Sequence, residues 1–301
     1  LVGRRRRIRF VRGIIVGLGR IVLGFWRFQR GELRRVQRRG RIRRRRGRRL
    51  VTDRHIESPQ NPRIKAWRAL RSRSERDATG LFLIEGERET LRGAEHLELV
   101  NAVIREDRTD VSLPHTVTVS QRAFDRLSVR ENPDGIAGIF RAPPHGLDAI
   151  DPLRPALVLI ADGVEKPGNI GAMIRTADAF GAAFVGASLG TDLYNPNVVR
   201  AAQGSLFAVP TASATRSETI TWSQGQGRIV ITSPDADESL WDVDLTGPTS
   251  IVVGSEHHGV DSSWLDVGIG CRIPTEGHAD SLNASVAAAV VLAEARRQRS
   301  A

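Results

Sequence analysis

The chain has 301 residues, of which 40% are hydrophobic, and this is enough for about two domains with real cores. Its single cysteine, Cys271, excludes a disulfide framework and a cysteine-based zinc site, so a reducing compartment is the simpler expectation. The net charge of +11 is unevenly distributed, because residues 1–50 hold twenty arginines and one acid. The rest of the chain carries 25 basic and 33 acidic side chains, so the overall charge does not by itself indicate a nucleic-acid partner.

The arginine-rich segment 1–52 resembles neither a signal peptide nor a membrane span. Its apolar stretch, GIIVGLGRIVLGFW, is interrupted by Arg20 and is shorter than a membrane-spanning helix, which needs about 20 residues. The stretch is followed by more arginines and by no signal-peptide cleavage site. Two interpretations stay open. The segment is either a disordered basic arm that grips RNA phosphates, or an extension outside the working protein, with translation starting near Val51. No membrane contact is expected, and we expect the protein to act in the cytoplasm.

Residues 53–142 alternate short helices and strands, which predicts a small α/β domain. The first predicted helix, at 61–73, carries Arg63, Lys65 and Arg68, which form either a solvated face or a face that contacts RNA phosphates. A polar turn is expected at 71–80. Further helices are expected at 88–96 and 121–128, and strands at 81–86, 101–106, 115–120 and 134–143.

The proline-rich segment 143–155 is predicted to be a linker. After it, near-continuous apolar strands alternate with helices, which indicates a mostly parallel sheet covered on both faces. Strands are expected at 156–164, 182–189, just before Pro210, 227–234, 249–259 and 271–277, and helices up to Gly181, from Asn195 or Pro196, and at 280–300. Ligands of such sheets bind at the carboxyl ends of the strands, where the loops 165–171, 254–259 and 274–283 are expected.

The stretch KPGNIGAMIRTADAFG, residues 166–181, places one arginine, Arg175, among apolar side chains. Its glycines do not match the G-x-G-x-x-G pattern of a dinucleotide site, so a nucleotide-dependent dehydrogenase is only a distant alternative. A tight turn, which glycine forms easily, is the ordinary explanation of these glycines. Two interpretations of Arg175 remain. Its stem covers apolar surface while its head lies in water, or it meets the phosphate or ribose of an RNA.

Three motifs of the C-terminal half occur in order: DGVEKPGNIGAMIRTADAFGA, IVVGSEHHGV and IPTEGHADSLNASVAAAVVLAE. Together they resemble the motifs of the SpoU (TrmH-like) RNA ribose 2′-O-methyltransferases of the SPOUT superfamily. The resemblance implies an α/β protein in which a C-terminal trefoil-knot methyltransferase domain, 156–301, follows a small α/β substrate-binding domain of the ribosomal-protein type, 53–142. It also implies S-adenosylmethionine as cofactor and a homodimer with its active site near the subunit boundary.

The resemblance also implies roles for individual residues. Methyl transfer to an alcohol requires two reactants held in line and a proton removed from a poor nucleophile, so positioning groups are expected. Arginine stays protonated in proteins, so Arg175 is expected to clamp a phosphate beside the target ribose rather than act as a base. The catalytic set is expected to be Arg175, Asn169, Glu256, Ser281 and Asn283, with Asn169 and Arg175 also touching RNA; the cofactor is expected to meet Gly254, Ser255, Glu256, Gly259, Ile273, Leu282 and Asn283.

Some of these residues have a second interpretation. Ser281 lies at the start of the last helix, where short polar side chains also serve as caps. His257 and His258 have no nearby cysteine or aspartate cluster, so they are expected to be exposed loop residues, and no metal site is predicted. The function expected from the resemblance is methylation of a ribose 2′-hydroxyl in 23S ribosomal RNA. The same chemistry on tRNA, and an RNA-binding protein that has lost the transferase activity, remain alternatives.

Overall fold

A computed structural model describes residues 55–150, 156–278 and 281–300. The predictions for segment 1–52 and for a start at Val51 therefore lie outside the described residues. Within the described ranges, no helix is both long enough and apolar enough to cross a membrane. The helices are α1 (Pro62–Ala69), α2 (Arg73–Thr79), α3 (Glu87–His96), α4 (Gln121–Leu127), α5 (Pro167–Phe180), α6 (Pro196–Ala202), α7 (Arg216–Gln224) and α8 (Ala284–Arg299).

The N-terminal half contains a mixed five-stranded sheet in the order β1-β4-β3-β5-β2, with β4 parallel to both of its neighbours and β5 antiparallel to both of its own. Apolar side chains alternate along its strands, so one face packs against α1 and α4 and the other against α3. The predicted strands are present, and only the two-residue edge strand was missed. The strands are β1 (His55–Ile56), β2 (Leu81–Glu85), β3 (Leu99–Arg105), β4 (Thr116–Val119) and β5 (Ile136–Arg141).

The region predicted as a helix at 61–73 and a turn at 71–80 is two helices. Asn61 caps α1 by accepting from the Arg63 amide at 2.8 Å, and α2 ends at Gly80, whose φ of +64° suits glycine. The prediction of a turn was wrong. The helix gave no signal in the sequence, because α2 has no apolar stripe. Its one buried side chain is Arg76, which no hydrophobic pattern reveals.

The C-terminal half contains a six-stranded sheet in which all neighbours are parallel, in the order β11-β9-β10-β6-β7-β8. Its central strands β6 and β10 are buried along their whole length, which confirms the prediction of a covered parallel sheet. The strands are β6 (Leu157–Asp162), β7 (Ala183–Ala187), β8 (Thr211–Ala214), β9 (Arg228–Thr232), β10 (Thr249–Val253) and β11 (Ile269–Cys271).

Two predicted strands in this half were misplaced, and one helix was missed. The strand expected before Pro210 is a 3-10 turn at Ser205–Phe207, and β8 starts after the proline. Helix α7 was missed although Thr215 and Glu218 form a capping box at its start. The strand expected at 271–277 is instead at Ile269–Cys271, and after it Arg272 forms only an isolated bridge to Ser239. The caps at Asn195 and Gly181 agree with the predicted helix boundaries, since capping depends on local sequence.

The two halves share a hydrophobic core. The ring of Phe82, on β2, lies 4.6 Å from the ring of Tyr194, between their centroids, and both side chains belong to one buried cluster with α5 and α6. Part of the predicted linker joins the packing as well. Ile150 is 2% exposed and lies in the same cluster as Trp264, and the His145 carbonyl accepts from the Ser213 amide at 2.7 Å.

A buried ion pair adds a polar link between the halves. Arg76 of α2 donates through Nε to Oδ1 of Asp192 at 3.0 Å, and its Nη2 lies 2.5 Å from Oδ2. The Arg76 side chain is 5% exposed and that of Asp192 is 14% exposed. Such a pair is costly to break because the remaining charge would stay buried without a partner.

Candidate active site

The site forms where two neighbouring strands end. β6 and β10 pair in parallel, so the segments after Asp162 and after Val253 leave the same edge of the sheet. The first segment enters α5 at Pro167, which means that most of the expected loop 165–171 is the first turn of a helix. Gly171 is needed there for packing rather than for a tight turn. A Cβ at that position would lie 2.5 Å from the Ala201 Cβ and 2.7 Å from the Val198 carbonyl oxygen.

Side chains from all three expected segments meet in one cluster. The Asn169 amide, on the first turn of α5, donates to Oε1 of Glu256, which follows β10. The Asn283 amide, at the start of α8, donates to Oδ1 of Asn169 at 3.3 Å. The three residues are separated by 87 and 114 positions in sequence, so the fold alone brings them together. We call Asn169, Glu256 and Asn283 the amide–carboxylate cluster.

The segment after β10 is a tight turn closed by backbone hydrogen bonds. The Ser255 amide donates to the Gly259 carbonyl at 3.1 Å, and the Gly259 amide donates back at 3.0 Å. A Cβ at position 254 would lie 2.1 Å from the Gly259 carbonyl carbon, and Gly259 has a φ of +66°. Both glycines are therefore required by the turn itself. The turn holds the Glu256 carboxylate, whose side chain is 15% exposed, toward α5.

The start of α8 is capped by Asn283. Its Oδ1 accepts from the Ser285 amide at 3.0 Å and from the Ser285 hydroxyl at 2.7 Å, while its amide nitrogen points to Asn169. The capping interpretation of Ser281 is therefore wrong, because the helix begins two residues later than that interpretation requires. Ser281 is exposed and has no hydrogen bond to another residue that the structure describes.

Arg175 lies two turns along α5 from the cluster, on the exposed side of a helix whose Ile170, Met173 and Ile174 are buried. Within the described residues its guanidinium has neither a hydrogen bond nor an ion pair. The structure therefore does not join Arg175 to the amide–carboxylate cluster. An exposed cation without a protein partner is free to meet an anionic ligand.

The remaining predicted residues lie outside the hydrogen bonds of the amide–carboxylate cluster. Ile273 and Leu282 are half-buried, and Ile273 packs against the core that both halves share. His257 and His258 are exposed. No group of three or more metal-ligating side chains occurs in the described part of the chain. On α1, the Arg63 guanidinium lies 4.9 Å from the centroid of the Trp67 ring, and Lys65 and Arg68 lie one turn apart on one face.

Sequence reasoning missed one residue of the site. Lys166 precedes α5, and its Nζ lies 3.8 Å from Oε1 of Glu256. The signal was available, because Lys166 lies three residues before Asn169 in the same motif. Its side chain is 60% exposed, so it can also reach an anion in solvent.

A second ionic network holds the same edge of the sheet in place. Asp162, 1% exposed at the end of β6, accepts from Arg216 Nε at 2.7 Å and from the Asp261 amide at 3.0 Å. Arg216 also pairs with Asp261 at 3.1 Å. The hydrogen bond to Asp162 raises the pKa of Arg216 above its ordinary value. The network ties the segments after β6, β8 and β10 together and so supports the position of the cluster.

The fold and the site together define a class of α/β proteins. In this class a parallel sheet covered on both faces carries a polar site at the carboxyl ends of its strands, and a smaller α/β domain precedes it in the sequence. Residues 156–293 match the SpoU rRNA Methylase family, and residues 61–138 match the MRM3-like substrate binding domain. The two matches occur in the order that the sequence predicts, with the substrate-binding domain first. The chain belongs to the SpoU rRNA methylase family.

Two relatives and one solved structure illustrate the similarity. The 23S rRNA (guanosine(2553)-2′-O)-methyltransferase RlmP of Bacillus subtilis is 31% identical over 79% of this chain and 97% of its own length. The 23S rRNA (uridine(2479)-2′-O)-methyltransferase of Streptomyces viridochromogenes is 33% identical over 84% of this chain and 96% of its own length. The AdoMet-bound rRNA methyltransferase of Sinorhizobium meliloti matches with a TM-score of 0.73 and 30% identity, over 81% of this chain and 97% of its own.

These similarities confirm the α/β fold with an N-terminal substrate-binding domain and a C-terminal SpoU domain. The trefoil knot, the domain boundaries and the roles of individual site residues stay predictions.

Proposed function

We propose that this chain transfers a methyl group from S-adenosylmethionine to the 2′-hydroxyl of a ribose in RNA, and that its substrate is 23S ribosomal RNA. The observation that carries the proposal is the amide–carboxylate cluster, which gathers one residue from each of the three family motifs at one edge of the sheet. The names of the relatives from Bacillus subtilis and Streptomyces viridochromogenes support the reaction and the substrate class.

The residues present fit the cofactor by their chemistry. Ile273 and Leu282 offer half-buried apolar surface for a flat base, and Gly259 is exposed with no atom within 4 Å of the place a Cβ would take, so a ligand can approach its main chain closely. Glu256 supplies a carboxylate, which suits a positively charged ligand. When bound, S-adenosylmethionine supplies an electrophilic methyl group. Gly254, Ser255, Gly259 and Asn283 complete the proposed cofactor contacts.

The chain's own residues would act by positioning the RNA. Arg175 is exposed and unpaired among the described residues, so its guanidinium is available to clamp the phosphate beside the target ribose. Asn169 is held by Glu256 on one side and Asn283 on the other, which fixes its amide for contact with a sugar. Fixed orientation of this kind can supply several kcal/mol, roughly 7–11 at the limit. Ser281 is exposed next to the cluster and completes the proposed set.

The assembly and the site of action are part of the same proposal. We retain the homodimer that the family resemblance implies; Val286 on α8 is 48% exposed, which leaves apolar surface on the helix that starts at the cluster. Light scattering of the purified chain checks this, and a monomer at working concentration would contradict it. We place the enzyme in the cytoplasm with its ribosomal substrate.

The decisive experiment is transfer of labelled methyl from S-adenosylmethionine to total RNA, followed by separation of 23S ribosomal RNA from tRNA and mapping of the labelled ribose. Label on 23S RNA at a 2′-oxygen is the expected result. Label on tRNA alone would redirect the substrate assignment. Calorimetric titration with the cofactor separates a weak enzyme from a non-catalytic RNA-binding protein, which would bind RNA without transferring label.

A further inference from the structure

A cationic pocket lies on the N-terminal half, away from the amide–carboxylate cluster. It has a volume of about 310 Å³ and is lined by the C-terminal part of α1, the following turn and the end of α4. Four of its six lining residues are basic and none is acidic. The lining residues are Lys65, Arg68, Ala69, Arg71, Ser72 and Arg126.

These cations are poorly satisfied by the protein. Nε of Arg68 and Nε of Arg71 are buried without a hydrogen-bond partner, and buried donors of this kind cost free energy unless something binds them. Within the described residues, Lys65 and Arg126 have no hydrogen bond or ion pair from their side chains. The acid whose charge acts on Arg71, Glu85, already accepts from the Ser128 hydroxyl and from the Val129 amide.

Hydrogen bonds to backbone carbonyls fix the side chains and the main chain that form the pocket. Nη2 of Arg71 donates to the carbonyl oxygens of Leu127, at 2.5 Å, and Ser128, which fixes the guanidinium between α1 and α4. Nη1 of Arg76 donates to the Leu70 and Arg71 carbonyls, at 2.8 Å each, while its other nitrogens hold Asp192. The residue that joins the two halves therefore also fixes the backbone of the pocket.

The charges in the pocket repel one another. Burial is the largest cause that lowers the pKa of Arg71, and repulsion from Arg68 comes next, with a smaller contribution from Arg126. An anion placed between them would relieve this repulsion and supply acceptors for the unpaired Nε groups. A tetrahedral phosphate offers several acceptor oxygens, which suits a pocket lined by several guanidinium and ammonium donors.

We infer that this pocket binds a backbone phosphate of the RNA substrate and so anchors the RNA at a second point, apart from the methyl-transfer site. The inference rests on the proposed function, which supplies the RNA. It adds Arg71 and Arg126 to the contacts expected from the sequence and assigns Lys65 and Arg68 to one phosphate site. Such a contact carries no base specificity and serves to set register and affinity.

The test compares the double variant Lys65→Ala/Arg126→Ala with the wild type and with Arg88→Ala. Both substituted pocket side chains are exposed, and Arg71 is left intact because it donates to the Leu127 and Ser128 carbonyls at the end of α4. Arg88 is an exposed arginine on α3, which packs on the opposite face of the same sheet, so it controls for loss of basic charge from the domain. The probe is full-length transcribed 23S ribosomal RNA, bound at a series of salt concentrations.

We expect the double variant to bind this RNA about tenfold more weakly at moderate salt. The slope of log K against log[salt] should become shallower by about 0.7 to 0.9 for each phosphate that the protein no longer neutralises. The weaker binding should appear in KM of methyl transfer. Arg88→Ala should show neither change. An unchanged salt slope in the double variant, or an equal change in Arg88→Ala, would overturn the inference.

Free inorganic phosphate is the other source of the same chemistry. Thermal unfolding of wild type and double variant in phosphate, against chloride at equal ionic strength, measures binding of the free ion. Stabilisation by phosphate that the double variant loses, together with an unchanged RNA salt slope, would mean a small-anion site and would overturn the assignment to RNA. If the wild-type enzyme binds the RNA with the expected salt slope but transfers no methyl group to any RNA, the proposed function is contradicted and the phosphate site is not.

Discussion

The pocket of the N-terminal half and the cluster of the C-terminal half handle polar groups in opposite ways. In the pocket, four cations face one another without an acid among the lining residues, and two buried Nε groups lack partners. In the cluster, two amides and a carboxylate satisfy one another directly. Unsatisfied charge favours a ligand that brings its own opposite charge, whereas a satisfied network favours fixed geometry. The pocket therefore suits binding of a nucleic acid, and the cluster suits the positioning of reacting groups.

The largest effect is expected at the ion pair between Arg76 and Asp192, which links the N-terminal half to the C-terminal half. Asp192→Ala leaves the buried Arg76 without its carboxylate and should lower the free energy of unfolding by about 3–5 kcal/mol. Urea unfolding followed by circular dichroism measures it. Asp77→Ala is the matched control, because Asp77 pairs with Arg73 at 3.6 Å on the exposed surface of the same helix, and it should cost less than about 1 kcal/mol. Equal effects of the two variants would show that the halves are not joined by this pair.

The next effect concerns the reaction itself. Arg175→Ala should keep cofactor affinity and lose at least about 100-fold in methyl-transfer rate, which corresponds to about 2.7 kcal/mol of transition-state stabilisation. Single-turnover transfer to RNA and calorimetric cofactor titration measure the two quantities. Arg296→Ala removes another exposed arginine, from the far end of α8, and should change neither. A fully active Arg175→Ala enzyme would refute the assigned role.

A matched pair of variants at Asn283 separates stability from activity. Asn283→Ala removes the helix cap and should lower stability by about 1 kcal/mol. Asn283→Asp keeps a good capping oxygen but loses the amide that donates to Asn169, so its stability should stay near that of the wild type. Both variants should slow methyl transfer, by up to about tenfold. If Asn283→Asp is as active as the wild type, the hydrogen bond to Asn169 is not needed for positioning.

The smallest effect is expected at Lys166. Its ion pair with Glu256 is long, at 3.8 Å, and the lysine is 60% exposed, so Lys166→Ala should change the rate less than about fivefold. Lys166→Arg, which keeps the charge, should be indistinguishable from the wild type in the same transfer assay. A large decrease restored by Lys166→Arg would show that the cluster depends on charge as the pocket does, and the contrast between the two regions would disappear.

Much of the fold follows from local sequence. The end of α5 at Gly181 and the start of α6 at Asn195 were predictable because capping depends on a few neighbouring residues. The parallel sheet was predictable from apolar strands alternating with helices. Helix α2 was not, because its buried position is held by an arginine whose partner lies 116 residues away. Ser281 was a plausible cap because sequence alone does not settle which of two polar residues begins a helix.

The sequence by itself determined the alternation of elements, the family motifs and the residue types that the chemistry requires. Only the tertiary structure decided which of those residues meet. Asn169, Glu256 and Asn283 come together through the parallel pairing of β6 with β10 and the return of α8 to the same edge. The cations of the pocket come together through the packing of α1 against α4. The physical reason is that caps and periodicity act over a few residues, whereas contacts across long separations appear only after strands pair and helices pack.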